Sequence, residues 1–175
     1  MEDLSLHILD VVENSISAGA KKIEIKIRKD LKEDLLTIEI IDNGKGMDAE
    51  MLEKVLDPFF TTKTVRKVGL GLSLLREAAR AANGDLTIQS EIGKGTRVKA
   101  TFQHSHIDRK PMGDMEKTMI SLIIGNSDVH FKYFHNKNGR KYRMIDTEKF
   151  KADDKLSSIS TGELIHLVKK SLKEI

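Results

Sequence analysis

The chain has 175 residues, no cysteine, 39% hydrophobic and 33% charged residues; this mixture excludes a disordered chain, and the missing thiols exclude disulfides, thiol catalysis and thiolate metal ligands. No apolar run approaches the roughly 18–20 residues of a membrane helix. The net charge of +3 is interleaved with acids, a pattern of solvated surface that argues against nucleic acid as a partner. The start, MEDLSLHILD, is acidic and lacks a basic n-region, so the expectation is a cytoplasmic protein with no secretory signal and no membrane association.

In chain order, Leu4, Ile8, Val12 and Ile16 form one apolar stripe, which predicts a helix over 3–18 capped by Asp3 and stopped at Gly19. Ile23, Ile25 and Ile27 alternate as in a strand over 22–28, and a polar turn leads to a second strand ending in Ile38, Ile40 and Ile41. DNGKGM is turn chemistry, after which Asp48 caps a short helix through Leu56. Residues 57–69 hold Pro58, Phe59, Phe60 and several cations without any period and read as a loop. A second amphipathic helix spans about Leu70–Ala82 and stops at Asn83-Gly84; strands follow at 85–90 and 97–102. Beyond Phe102 come a connector with Pro111, a helix capped by Asp114, a hairpin turning at Asn138-Gly139 and a last helix opened by the Ser160/Glu163 capping box.

The first helix has a second face. His7, Asp10, Asn14 and Ser17 are spaced 3, 4 and 3 and project together, away from the apolar stripe. Alone, such a face is ordinarily solvated. Gly69 and Gly71 sit where a loop becomes a helix N-terminus, which favours anions, while the phosphate loop ending in Gly-Lys-Ser/Thr is absent. Their order carries more weight: ENSISAGA (13–20), DNGKGM (42–47), DPFFTTK (57–63), VGLGLSLL (68–75) and GTRVKATF (95–102). Over about residues 4–102 this series resembles the GHKL family of ATP-binding domains, shared by histidine kinases, DNA gyrase, MutL, anti-sigma-factor kinases and a heat-shock chaperone.

The resemblance implies an α+β fold: a two-layer α/β sandwich of the Bergerat ATP-binding type, a mixed or antiparallel sheet with helices on one face. It implies ATP and Mg²⁺ as ligands. Asp42 matches the aspartate that accepts a hydrogen bond from the adenine amino group, and Thr96 a threonine reaching adenine nearby. Gly44 and Gly46 match glycines that admit base and phosphates. Asn14 matches the asparagine that holds Mg²⁺, and its amide oxygen is a suitable hard ligand. Gly69, Leu70, Gly71 and Leu72 match the phosphate-binding end of the lid, where Lys63, with Arg66 or Lys67, is placed to neutralise phosphate charge. Asp10 stands one turn before Asn14, where the ATPases and anti-sigma-factor kinases of this family place a glutamate general base and histidine kinases an asparagine. Aspartate accepts a proton but is one methylene shorter.

The asparagine box begins almost at Met1, so the reading expects a stand-alone domain without the upstream dimerisation segment that carries a histidine kinase's phosphoacceptor. His104, His106 and Asp108 suggest a metal site, but two histidines with no identified third ligand ordinarily read as surface residues. The expected organisation is an ATP-binding domain over 1–103 and an extension of helix, β-hairpin and helix over 104–175, of no assigned function. The expected function is Mg²⁺-dependent ATP (or ADP) binding in signalling, with the γ-phosphoryl group passed to a partner protein or to water. The alternative is an ATP-gated binding module with negligible turnover.

Overall fold

In the computed structural model, which describes residues 2–57, 70–151 and 159–173, the first helix forms where its cap predicts. Asp3 Oδ1 accepts the Leu6 N–H at 3.1 Å, helix α1 runs Leu4–Ser17, and Gly19 follows with φ +78°. Strands β1 (Lys22–Asp30) and β2 (Leu35–Asp42) are antiparallel, with Ile25 opposite Ile40. Their Ile23, Ile25, Ile27, Leu36, Ile38 and Ile40 are buried on one side of the sheet. Asp48 caps the short helix α2 (Ala49–Lys54), and α3 spans Leu70–Ala81. Strands β3 (Leu86–Glu91) and β4 (Gly95–Gln103) form a hairpin whose second strand lies against β2.

The later elements add to the same sheet. Helix α4 (Met115–Gly125) follows its Asp114 cap, and the hairpin β5 (His130–Lys137) and β6 (Arg140–Asp146) turns through Asn138 and Gly139, both at positive φ. β5 pairs in parallel with β1, giving the strand order β3-β4-β2-β1-β5-β6. Helix α5 (Thr147–Lys151) and helix α6 (Thr161–Lys173) complete the described chain. α1, α3, α4 and α6 lie together over one face of the sheet, giving the expected two layers with a mixed sheet. The opposite face is polar. On it the deeply buried Glu39 carboxylate accepts from Arg97 Nε and Nη2 at 2.9 and 2.6 Å.

Two features depart from the sequence reading. α5 has no periodic signal because it is a single turn, started by a local bond in which Asp146 Oδ1 accepts the Glu148 N–H and tied to β5 by the Thr147 hydroxyl, which accepts the Phe131 N–H. The second is His7, placed on the polar face with Asp10 and Asn14 but only 2% exposed. Residues 111 and 112 strap the first turn of α1, where Pro111 O and Met112 O accept the Leu4 and Ser5 N–H groups. Neither ring nitrogen of His7 finds a hydrogen-bond partner among the described residues. Burial, followed by the Lys110 charge and the N-terminus, pushes the His7 pKa down from 6.5 to about 4, while Asp3 opposes weakly.

This sets a pH dependence. Between pH 4 and 6.5 the unfolded chain holds a proton on His7 that the folded chain rejects, so stability falls as pH falls through this window. One proton corresponds to a slope of at most ~1.4 kcal/mol per pH unit. Asp34, held by Ser105 and Gln103, and Asp85, held by Arg80, have lowered pKa values and act below the ordinary carboxylate range. Denaturant titrations from pH 7 to 4.5 are expected to show a declining midpoint for the wild type and a flatter one for His7→Leu. Equal slopes would exclude His7 as the source.

Candidate functional site

The site is organised around the end of β2. Cross-strand register sets Asp42 opposite Thr96, and three protein donors converge on the Asp42 carboxylate. Its Oδ2 accepts the Ser15 hydroxyl at 2.6 Å; its Oδ1 accepts the Gly44 N–H at 2.9 Å and the Thr96 N–H at 3.3 Å. An ionised carboxylate offers about four acceptor positions and no donor. Three are taken within the protein, and the group, itself 9% exposed, lines a cavity of about 450 Å³.

The turn after Asp42 is secured from both sides. Asn43 Oδ1 accepts the Lys21 and Lys22 N–H groups at 2.9 and 2.8 Å, fixing the turn to the start of β1. On the other side the Ser90 hydroxyl accepts the Met47 N–H at 2.8 Å, meets Thr96 Oγ1 at 2.8 Å and donates to Gly95 O. Gly46 has φ +70°, and a Cβ there would strike the backbone of Glu91, so this corner admits only glycine. A Cβ on Gly44 would stand 3.0 Å from Ala18 O and 3.1 Å from Asp42 Oδ1.

The cavity wall is mostly apolar, made by Met47, Met51, Val55, Leu72, Ile92 and Val98; Asn14, Ser15, Asp42 and Thr96 supply polar groups. A flat heterocycle fits such a wall, and the carboxylate selects one that presents an N–H donor. Asn14 is half-buried at the cavity, and its amide makes no hydrogen bond to a described residue. One turn earlier, Asp10 lies against the start of α3: a Cβ on Gly71 would come within 3.0 Å of Asp10 Oδ2. The carboxylate of Asp10 has no hydrogen bond or ion pair among the described residues. The first turn of α3 therefore begins beside Asp10, at the helix end whose dipole favours an anion.

The structure thus brings Asn14, Asp42, Gly46, Leu72 and Thr96 to one cavity, with Gly44 behind Asp42 and with Asp10 and Gly71 in contact range. Leu70 sits at the first position of α3, 49% exposed. Lys63, Gly69, Arg66, Lys67 and the Phe59-Phe60 pair lie outside the described residues. Sequence reading missed Ser15 and Ser90. Ser15 follows Val11 by one turn, so its place on the sheet-facing edge of α1 was visible, but its partner is 27 residues away. Ser90 shows no local signal; its role depends on facing Thr96 across the β3–β4 pair. In the 104–108 segment, His106 Nδ1 accepts the Asp108 N–H at 3.1 Å, and among the described residues His104, His106 and Asp108 do not gather as one group of ligand atoms.

Residues 2–106 match the model of the family described as histidine kinase-, DNA gyrase B-, and HSP90-like ATPase. The sensor kinase CckA of Brucella abortus is 37% identical over 110 residues, 59% of this chain and 11% of that protein. The sensor protein kinase FleS of Pseudomonas aeruginosa is 40% identical over 89 residues, 51% of this chain and 22% of that protein. The chain therefore spans only a small part of the length of these relatives. Among solved structures, the N-terminal domain of a DNA repair protein superposes with a TM-score of 0.60 at 19% identity, covering 83% of this chain and 53% of that one. The Aquifex aeolicus MutL ATPase domain, complexed with ADP, does so with a TM-score of 0.52 at 19% identity, covering 98% and 70%. At this identity the two structures speak for the shared fold.

Proposed function

The chain belongs to the histidine kinase-, DNA gyrase B- and HSP90-like ATPase family, and from that premise we propose that it binds ATP with Mg²⁺ and passes the γ-phosphoryl group to a partner protein or to water. The observation that carries this reading is the Asp42 carboxylate, saturated by three protein donors except toward an apolar cavity. Adenine presents an amino donor there; guanine presents a carbonyl oxygen, which an ionised carboxylate repels. With the base at Asp42, the phosphates run along α1 toward Asn14 and the N-terminus of α3.

Asn14 fits the metal. Its amide oxygen has no competing partner among the described residues, and Mg²⁺ accepts one or two protein oxygens while keeping waters and phosphate oxygens. Bound there, Mg²⁺ would supply charge neutralisation between the phosphates. Asp10, one turn away on the same face, would orient the attacking hydroxyl or water and take its proton. Asp48, Met51 and Val55 also line the cavity, and the two apolar side chains offer the base a dry surface. The reading takes the protein as a cytoplasmic signalling component with a protein as regulator or acceptor. Among the described residues no helix is long and apolar enough to cross a membrane.

The test separates the metal from the base. Calorimetry with ATP is expected to show tighter binding of wild type when Mg²⁺ is added, and an Asn14→Ala affinity that no longer responds to Mg²⁺. The fold should survive, because the Asn14 side chain is half-buried and bonds to no described residue. A variant with a wild-type magnesium response defeats the ligand role of Asn14. No heat from ATP with either protein defeats the functional reading itself.

A further inference from the structure

Outside the nucleotide cavity, one group of side chains converges without an account of its convergence. His130 opens β5, Asp146 ends β6 and Glu148 lies in the first turn of α5, so adjacent strand ends and the helix start bring three potential ligands to the outer side of the sheet. All three residues lie beyond the part of the chain that matches the ATPase family. His130 Nε2 is 2.7 Å from Asp146 Oδ1 and 3.7 Å from Glu148 Oε2, and the ligand atoms of all three lie within 4.8 Å of one another.

Capping explains part of this. Asp146 Oδ1 accepts the Glu148 N–H at 3.1 Å and so holds the start of α5, and Asp146 Oδ2 is 3.7 Å from Lys132 Nζ. Capping does not explain Glu148, whose side chain is 70% exposed and has open solvent available, yet its carboxylate turns back to the same imidazole nitrogen. A neutral imidazole nitrogen carries at most one hydrogen and satisfies one acceptor. Two carboxylates aimed at one nitrogen are both satisfied when a cation replaces that hydrogen and the nitrogen lone pair becomes a ligand. The observed separations bracket the ligand–ligand spacing of about 3.3–3.6 Å in a tetrahedral shell with bonds of about 2.0–2.2 Å.

We propose that His130 Nε2, Asp146 Oδ1 and Glu148 Oε2 form a binding site for one divalent first-row transition-metal ion, with water completing the shell on the exposed Glu148 side. One imidazole and two carboxylates, without thiolate, suit Zn²⁺, Co²⁺ or Mn²⁺. The scaffold is firm. The His130 and Asp146 side chains are only 13% and 15% exposed, the His130 N–H donates to Lys21 O, and the Phe131 N–H donates to Thr147 Oγ1. Lys132 engages the other oxygen of Asp146, leaving Oδ1 as the single ligand atom, and the Glu148 N–H supports that atom as an outer partner. Such an ion would tie the β5–β6 hairpin to α5.

The test uses the full chain without nucleotide and Zn²⁺ in competition with a chromophoric chelator. One equivalent of Zn²⁺ is expected to bind, with affinity reduced at least about 100-fold in His130→Ala and at least about tenfold in Glu148→Gln. Because Glu148 is largely exposed, Glu148→Gln keeps the fold, and its loss of affinity is not a folding effect. Asn14→Ala and a combined His104→Ala/His106→Ala variant are expected to bind Zn²⁺ like wild type. Failure of the wild type to compete, unchanged affinity in His130→Ala or Glu148→Gln, or loss of binding in either control would overturn the assignment.

Discussion

Asp42→Asn will lower ATP affinity about ten- to a hundredfold, the loss of one charge-assisted hydrogen bond worth roughly 1.5–3 kcal/mol. The reason is in the donor count. The Ser15 hydroxyl, the Gly44 N–H and the Thr96 N–H already point at this side chain. An asparagine there keeps its oxygen on the Gly44 and Thr96 N–H groups, because its amide nitrogen would meet donors on that side. The nitrogen then replaces Oδ2, the Ser15 hydroxyl rotates to accept from it, and its second hydrogen points to the cavity. The last free position changes from acceptor to donor. Affinity for ATP should fall while the preference for ATP over GTP shrinks, because guanine's carbonyl oxygen now finds a partner. Calorimetry with both nucleotides measures each effect, and a thermal melt checks the fold. Equal ATP affinity in wild type and variant would remove Asp42 from base recognition.

Asp10→Asn is expected to cut phosphoryl transfer or hydrolysis by at least an order of magnitude, and by up to about ten-thousandfold, while leaving ATP affinity near wild type. Asp10 stands one helical turn from Asn14 and within reach of the start of α3, where the N–H groups favour phosphate. Its carboxylate has no partner among the described residues, so it is free to accept a proton. Asparagine keeps the size and removes that capacity. Single-turnover assays with γ-labelled ATP separate the chemical step from binding. Turnover unchanged in Asp10→Asn would assign Asp10 to positioning alone. Nucleotide binding without any turnover, with candidate partner proteins supplied, would favour the ATP-gated binding module.

Much of this was legible in the chain because the signals are local. The Asp3 and Asp48 caps, the alternation of Ile23, Ile25 and Ile27, and the Asn138-Gly139 turn each act within about four residues. Their outcomes depend on backbone sterics and side-chain period, which any context preserves. The Asn14 and Asp42–Met47 boxes were readable for a related reason: each joins a helix end or a turn to residue types that bind phosphate or base. α5 was not readable, since one turn has no period and its tie to β5, the Thr147 hydroxyl accepting the Phe131 N–H, spans 16 residues.

By itself, then, the sequence determined which segments become helices and strands, α5 apart, the family to which residues 2–106 belong, and the residue types offered to a nucleotide. Tertiary structure decided who meets whom. The parallel pairing of β5 with β1, the bond from Ser15 to Asp42 across 27 residues, the strapping of the first turn of α1 by residues 111 and 112, and the meeting of His130 with Glu148 all join distant or separately folded segments. The physical reason is that a partner's identity depends on register and on the layering of α1, α3 and α4 over the sheet. Burial of apolar surface sets that layering, and it is non-directional, so polar side chains such as His7 and Ser15 acquire their surroundings only once the layers have packed.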